Sequence, residues 1–151
     1  MTVLLLAAPL AAEAQQAPKV WRIGLFHVGL DHVPPSLDPL RRELKALGYE
    51  EGKNLRFDWR NLPDEEAARL TAKEFVRQRV DLIVAFENQT VRAAKAATSE
   101  IPIVFLHVSD PVADGFVKSL AYPGGNLTGF AGISNVPAKE VEIFKEVVPA
   151  L

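Results

Sequence analysis

Residues Ile101 to Gly129 read IPIVFLHVSDPVADGFVKSLAYPGGNLTG, and the fold is decided by the order of elements inside this stretch. Ile103-Val104-Phe105-Leu106 is a continuous apolar run, as expected of a strand buried on both faces. It leads directly into Ser109-Asp110-Pro111, where a short carboxylate suited to an N-cap precedes a proline suited to the first helical position. The pattern predicts a helix from Pro111 to about Ala121. That helix is expected to stop at Pro123-Gly124-Gly125-Asn126, where glycines can take positive φ. A strand whose carboxyl end opens onto a helix N-terminus is where open α/β sheets hold their ligands.

The same alternation extends upstream. Trp21 to Val28 (WRIGLFHV) fits a central strand, and Leu37, Leu40, Leu44 and Leu47 recur at helical spacing before Gly48 as C-cap. Leu55 to Trp59 alternates apolar residues with Arg56 and Asp58, as a strand with one wetter face does. Asp64 to Arg79 reads as a helix with Ala68, Ala72, Phe75 and Val76 on one side. Asp81 to Phe86 (DLIVAF) is a short buried strand, and Asn88 to Glu100 is an alanine-rich helix thin enough for close packing. Ile103 to Val108 is the fourth strand, and Asn126 to Phe130 adds a short fifth. Repeated β-α units require right-handed crossovers, so the class is α/β. The expected architecture is a doubly wound parallel sheet in the order 2-1-3-4-5, with helices on both faces.

Composition narrows the function classes. A chain of 151 residues, 48% hydrophobic and 24% charged, is enough for a domain with a real core. The net charge of −2 points away from nucleic acid and from anionic membrane surfaces. The absence of cysteine excludes disulfides, thiolate catalysis and Cys-based metal sites. Val3 to Ala12 (VLLLAAPLAA) is an apolar run followed by the small-x-small site Ala12-Glu13-Ala14. Residues 1–14 therefore read as a signal peptide cleaved after Ala14, which implies export to the periplasm. The run is shorter than the about 20 apolar residues that span a bilayer, so no membrane insertion is expected after cleavage. At the other end, Ala131 to Pro137 reads as a connector. Ala138 to Leu151 reads as an amphipathic helix carrying Val141, Phe144, Val147 and Val148.

In a doubly wound sheet the loops after strands one, three and four lie together at the carboxyl edge. Here they are His27-Val28-Gly29-Leu30-Asp31, Glu87-Asn88-Gln89-Thr90 and His107-Val108-Ser109-Asp110. The candidate ligand-binding residues are His27, Gly29, Glu87, Asn88, Gln89, Ser109 and Asp110. Asn88 and Asp110 are expected to cap the following helices, whose free amide donors favour an anionic group. Capping alone accounts for Asp110, because the Asp-Pro pair explains itself. Glu87 fits an amine, so the edge as a whole suits a zwitterion such as an amino acid.

Catalytic and cofactor motifs are missing. The three histidines match no metal-ligand spacing. His107, Ser109 and Asp110 are near neighbours on one turn and cannot form a hydrolytic relay, and there is no G-x-S-x-G elbow. Neither G-x-x-x-x-G-K-[ST] nor G-x-G-x-x-G occurs, so no nucleotide cofactor is expected. Gly124-Gly125 reads as a helix stop, and Asn126-Leu127-Thr128 as a structural turn. Arg41-Arg42-Glu43-Lys45 reads as a solvated helix face with i,i+4 partners.

The run IPIVF…DPV…G.V.SL..PGGN.TG resembles the solute-binding proteins of ABC transporters with the type I periplasmic-binding fold. Asp110, Pro111, Gly115, Ser119, Leu120, Pro123, Gly124, Gly125, Asn126, Thr128 and Gly129 all stand in register. The resemblance runs from about Lys19 to Leu151. It implies that residues 19–131 form a first ligand-binding lobe and residues 132–151 a hinge and the first helix of a second. It also implies a binding role without catalysis, a small solute as ligand and a membrane permease as partner. Relatives in this family tend to open the loop after the third strand with small residues and Thr-Pro, whereas this chain has Glu-Asn-Gln-Thr. The alternative is a cytoplasmic flavodoxin-like or receiver-like signalling domain with the same sheet order. A receiver needs clustered acids after strand one and an acceptor Asp after strand three, where this chain has Phe26-His27 and Phe86-Glu87.

Overall fold

The computed structural model describes residues 19–29 and 37–132. The expected leader over residues 1–14, the connector beyond residue 132 and the helix from Ala138 lie outside them. The elements are β1 (Trp21–Val28), α1 (Leu37–Ala46), β2 (Leu55–Leu62), α2 (Glu65–Arg77), β3 (Leu82–Phe86), α3 (Glu87–Ala97), β4 (Ile103–Val108) and β5 (Leu127–Ala131). The five strands form one sheet in the order β2-β1-β3-β4-β5. Every pairing is parallel, with Leu25 of β1 opposite Trp59 on one side and Val84 on the other. Fold class and strand order are those expected from the sequence.

Both faces of the central strands are covered, which is why their sequences are unbroken apolar runs instead of alternating ones. Ile23 through His27 are buried without interruption. Phe26, Phe75, Ile83, Ala85, Val91, Ile103 and Phe105 build the core beneath α2 and α3. Leu25, Leu37, Leu55, Val84 and Phe86 build the opposite layer beneath α1. Small residues set the depth of α2. A Cβ at Gly24 would lie 2.8 Å from the Phe75 ring, so glycine there lets Phe75 descend onto β1. Phe75 then meets Phe26 edge-on, with centroids 5.6 Å apart, and burial of such a ring contributes roughly 1.5–3 kcal/mol. Asp64 caps α2 by accepting the Ala67 amide at 2.8 Å, and Gly48 closes α1 at φ +90 as its position implied.

The expected helix from Pro111 to Ala121 does not form. Asp110 Oδ1 accepts the amides of Val112 at 3.1 Å and Ala113 at 2.9 Å, which makes a turn instead of a helix cap. The chain then breaks at Gly115, which takes φ +70, and the amides of both Phe116 and Val117 return to the Pro111 carbonyl. Phe116 and Val117 are 5% and 7% exposed, so two consecutive side chains enter the core. A helix would separate them by a hundred-degree rotation. Tertiary burial overrides the capping signal, helped by a glycine that costs a helix interior about 1 kcal/mol. Gly124-Gly125 accordingly closes a loop, in which the Lys118 amide donates to the Pro123 carbonyl at 3.0 Å, and stops no helix.

Candidate functional site

The carboxyl ends of β1, β3 and β4 converge as the strand order requires. Phe86, the last residue of β3, lies opposite Leu106 of β4, so Glu87 and His107 follow at adjacent strand ends. Both are non-glycine residues at positive φ, +61 for Glu87 and +57 for His107. Such backbone costs of order 1–3 kcal/mol per residue and concentrates at functional sites. The kink at Glu87 turns its carboxylate toward β1, where Oε1 lies 2.6 Å from Nε2 of His27. At His107 the pairing register of β4 with β5 shifts between Phe105 and Val108. The resulting bulge redirects the imidazole onto Phe86.

Phe86 is the centre of a ring cluster. His107 stacks on it at 24° with centroids 6.3 Å apart, Trp59 meets it edge-on at 5.8 Å, and His27 lies tilted at 6.0 Å. Phe86 is buried, whereas His107 is exposed. His27 is 6% exposed, and its Nδ1 is buried without a hydrogen-bond partner among the described residues. Burial pushes the Glu87 carboxyl up from its ordinary value, while the imidazoles of His27 and His107 pull it the other way.

Asn88 is not the cap it was expected to be. The N-cap of α3 is Phe86, and no side chain caps the helix. Asn88 Nδ2 instead donates to Asp114 Oδ2 at 2.6 Å, which ties α3 to the turn after β4. Lys95 adds a second tie through its ammonium, which donates to the Gly115 carbonyl. Thr90 donates its hydroxyl to the carbonyls of Phe86 and Glu87, locking the first turn. With no cap in place, the first amide donors of α3 are left for an anionic group.

The structure thus brings His27 and Glu87 into contact and places Asn88 beside them. Gly29 sits at the end of β1 at φ +83, its amide bonded to the Leu62 carbonyl at 3.0 Å. Gln89, Ser109 and Asp110 are exposed at the same edge, with the Asp110 carboxylate already committed to its own turn. Sequence reasoning passed over Phe86, Trp59 and His107 as a unit. An aromatic residue ending a buried strand is a signal for Phe86. The kink that stacks His107 upon it has no local signature. Among the described residues, no group of three or more His, Asp or Glu side chains is placed to hold a metal, and no helix is long and apolar enough to cross a membrane.

Residues 29–151 match the family model described as ABC transporter substrate binding protein. A tyrosine-binding protein of Clostridioides difficile is 38% identical over 120 residues, covering 76% of this chain and 34% of that relative. Among solved structures, a conserved domain protein from Vibrio cholerae is 39% identical with a TM-score of 0.74, over 87% of this chain and 45% of that one. The ligand-free, open structure of a substrate-binding protein with adhesive properties from Clostridium difficile is 34% identical. Its TM-score is 0.72, again over 87% of this chain and 45% of that one. A domain from Streptococcus pneumoniae in complex with L-Trp is 27% identical with a TM-score of 0.63, over 75% of this chain and 39% of that one. The chain spans between a third and a half of the length of the relatives it matches.

Proposed function

The chain belongs to the family of ABC transporter substrate-binding proteins, and from that premise we propose that it captures an amino acid at the carboxyl edge of its sheet for delivery to a membrane permease. In this reading residues 19–131 are the first of two ligand-binding lobes and residues 132–151 the hinge and first helix of the second. The leader over residues 1–14 directs the protein to the periplasm, where such a receptor meets its solute. Catalysis plays no part.

One observation carries the choice of ligand: the uncapped N-terminus of α3 begins at Glu87, whose carboxylate is held by His27. Amide donors for a carboxylate and an anionic acceptor for an ammonium therefore lie within one loop, which is the polarity of a zwitterion. His27, Gly29, Glu87, Asn88, Gln89, Ser109 and Asp110 form the rim of this site. The tyrosine-binding relative and the L-Trp complex support an amino acid as the solute class. Nothing at the ends of β1 and β3 supports the receiver-like alternative.

The test is titration of the chain with free L-amino acids, their amides and their N-acetyl derivatives. Free amino acids should bind, and blocking either end should weaken binding roughly tenfold or more. Equal binding of the N-acetylated forms would remove Glu87 from the site and the zwitterion with it.

A further inference from the structure

We propose that His107 is a specificity-determining residue, a planar shelf that selects solutes with an aromatic side chain; this rests on the reading of the carboxyl edge as an amino-acid site. The starting point is a left-handed backbone conformation at an exposed residue. His107 holds φ +57 on an imidazole that is exposed, while its neighbours Phe105 and Val108 carry the core contacts of β4. Strain kept at an exposed residue points to a role beyond the fold.

What the strain achieves is a stacked pair whose imidazole is exposed. The His107 ring lies within 24° of parallel to Phe86, which is itself 4% exposed and fixed from the side by Trp59. Phe86 lies against the imidazole, and His107 is exposed at the edge of the sheet. Placement relative to Glu87 fits a single ligand. Glu87 opens α3 directly after β3 and His107 lies near the end of the neighbouring β4, with strands ~4.8 Å apart, so one amino acid can reach both side chains. An ammonium at Glu87 therefore sets the side chain over His107. Offset stacking favours a planar π-system over an aliphatic group of similar area, by roughly 3- to 10-fold in affinity.

The experiment is an NMR titration of the chain with L-tryptophan, L-phenylalanine and L-leucine, following the His107 ring protons together with backbone amides. Tryptophan and phenylalanine should bind several-fold tighter than leucine and shift the His107 ring protons upfield by ring current. His107→Ala should bring the three affinities together, and His107→Phe should keep the aromatic preference. Both variants must retain the dispersed amide spectrum of the native chain. Leucine binding as tightly as tryptophan, or a preference that survives His107→Ala, would overturn the shelf while leaving the amino-acid site standing. Failure of all three to bind the native chain would overturn the site itself.

Discussion

Nε2 of His27 lies 2.6 Å from Oε1 of Glu87, joining the carboxyl end of β1 to the first residue of α3. The two partners are unequally placed: the His27 side chain is 8% exposed and that of Glu87 is 40%. Among the described residues, Glu87 is the hydrogen-bonding partner of an imidazole whose other nitrogen is buried and unpaired. The contact therefore matters more to His27 than to Glu87.

Glu87→Ala should accordingly destabilise the chain by leaving both imidazole nitrogens unsatisfied. An orphaned buried polar group costs roughly 1–3 kcal/mol, and water entering where Glu87 is half-exposed places the loss near the lower figure. Glu87→Gln retains an acceptor oxygen and should cost less than half as much. Urea midpoints at constant m-value decide between them. Equal losses for both variants would mean that the charge, not the hydrogen bond, holds His27.

Much of this architecture was legible beforehand, and the reasons are local. WRIGLFHV, DLIVAF and IPIVF are apolar runs too short for helices and bounded by turn residues, so the parallel core followed from them. β2 runs on past Trp59 to Leu62 because Asn61 and Leu62 are held by their ladder with His27 and Val28, a partnership no local pattern reveals. The false helix after Pro111 arose from a real capping signal at Asp110, outweighed by burial of Phe116 and Val117. The site was half legible. Strand order placed Glu87 and His27 at one edge, but left-handed backbone at Glu87 and His107 is a tertiary outcome. No residue type at those positions announces it.

At the opposite edge, Asp81 gives the chain a defined acid limb. Burial disfavours its charge, but the Lys19 ammonium at 2.7 Å and the Arg22 amide at 2.8 Å outweigh that and hold its carboxyl below the ordinary range. A depressed folded pKa contributes stability that is present above the unfolded value of about 3.9 and is lost as pH falls through the folded value. Asp81→Asn keeps an acceptor for Arg22 and removes the charge. It should cost up to about 1 kcal/mol at pH 7, since Lys19 is largely exposed, and progressively less as pH falls below about 3.9. Thermal midpoints from pH 2 to pH 7 are the check. A variant deficit that stays constant across that range would show that Asp81 acts by packing alone.

The Asn88–Asp114 bond is the last element whose role can be separated from its neighbours. Asn88 was expected to cap α3, in which case its loss would act on the helix and Asp114 would be irrelevant. The 2.6 Å bond from Nδ2 to Oδ2 makes it a tether between α3 and the turn that carries Asp110 and Ser109 toward the site. The two roles differ in a double-mutant cycle. For a tether, Asn88→Ala and Asp114→Ala should each cost about 1 kcal/mol, and the double variant little more than either alone. Hydrogen exchange sharpens the distinction, because a released tether should raise exchange at Phe116 and Val117, whose amides rest on the Pro111 carbonyl. Amides within α3 beyond its first turn should be unchanged. Additive losses, with faster exchange confined to α3, would return Asn88 to the helix and leave the turn after β4 to hold itself.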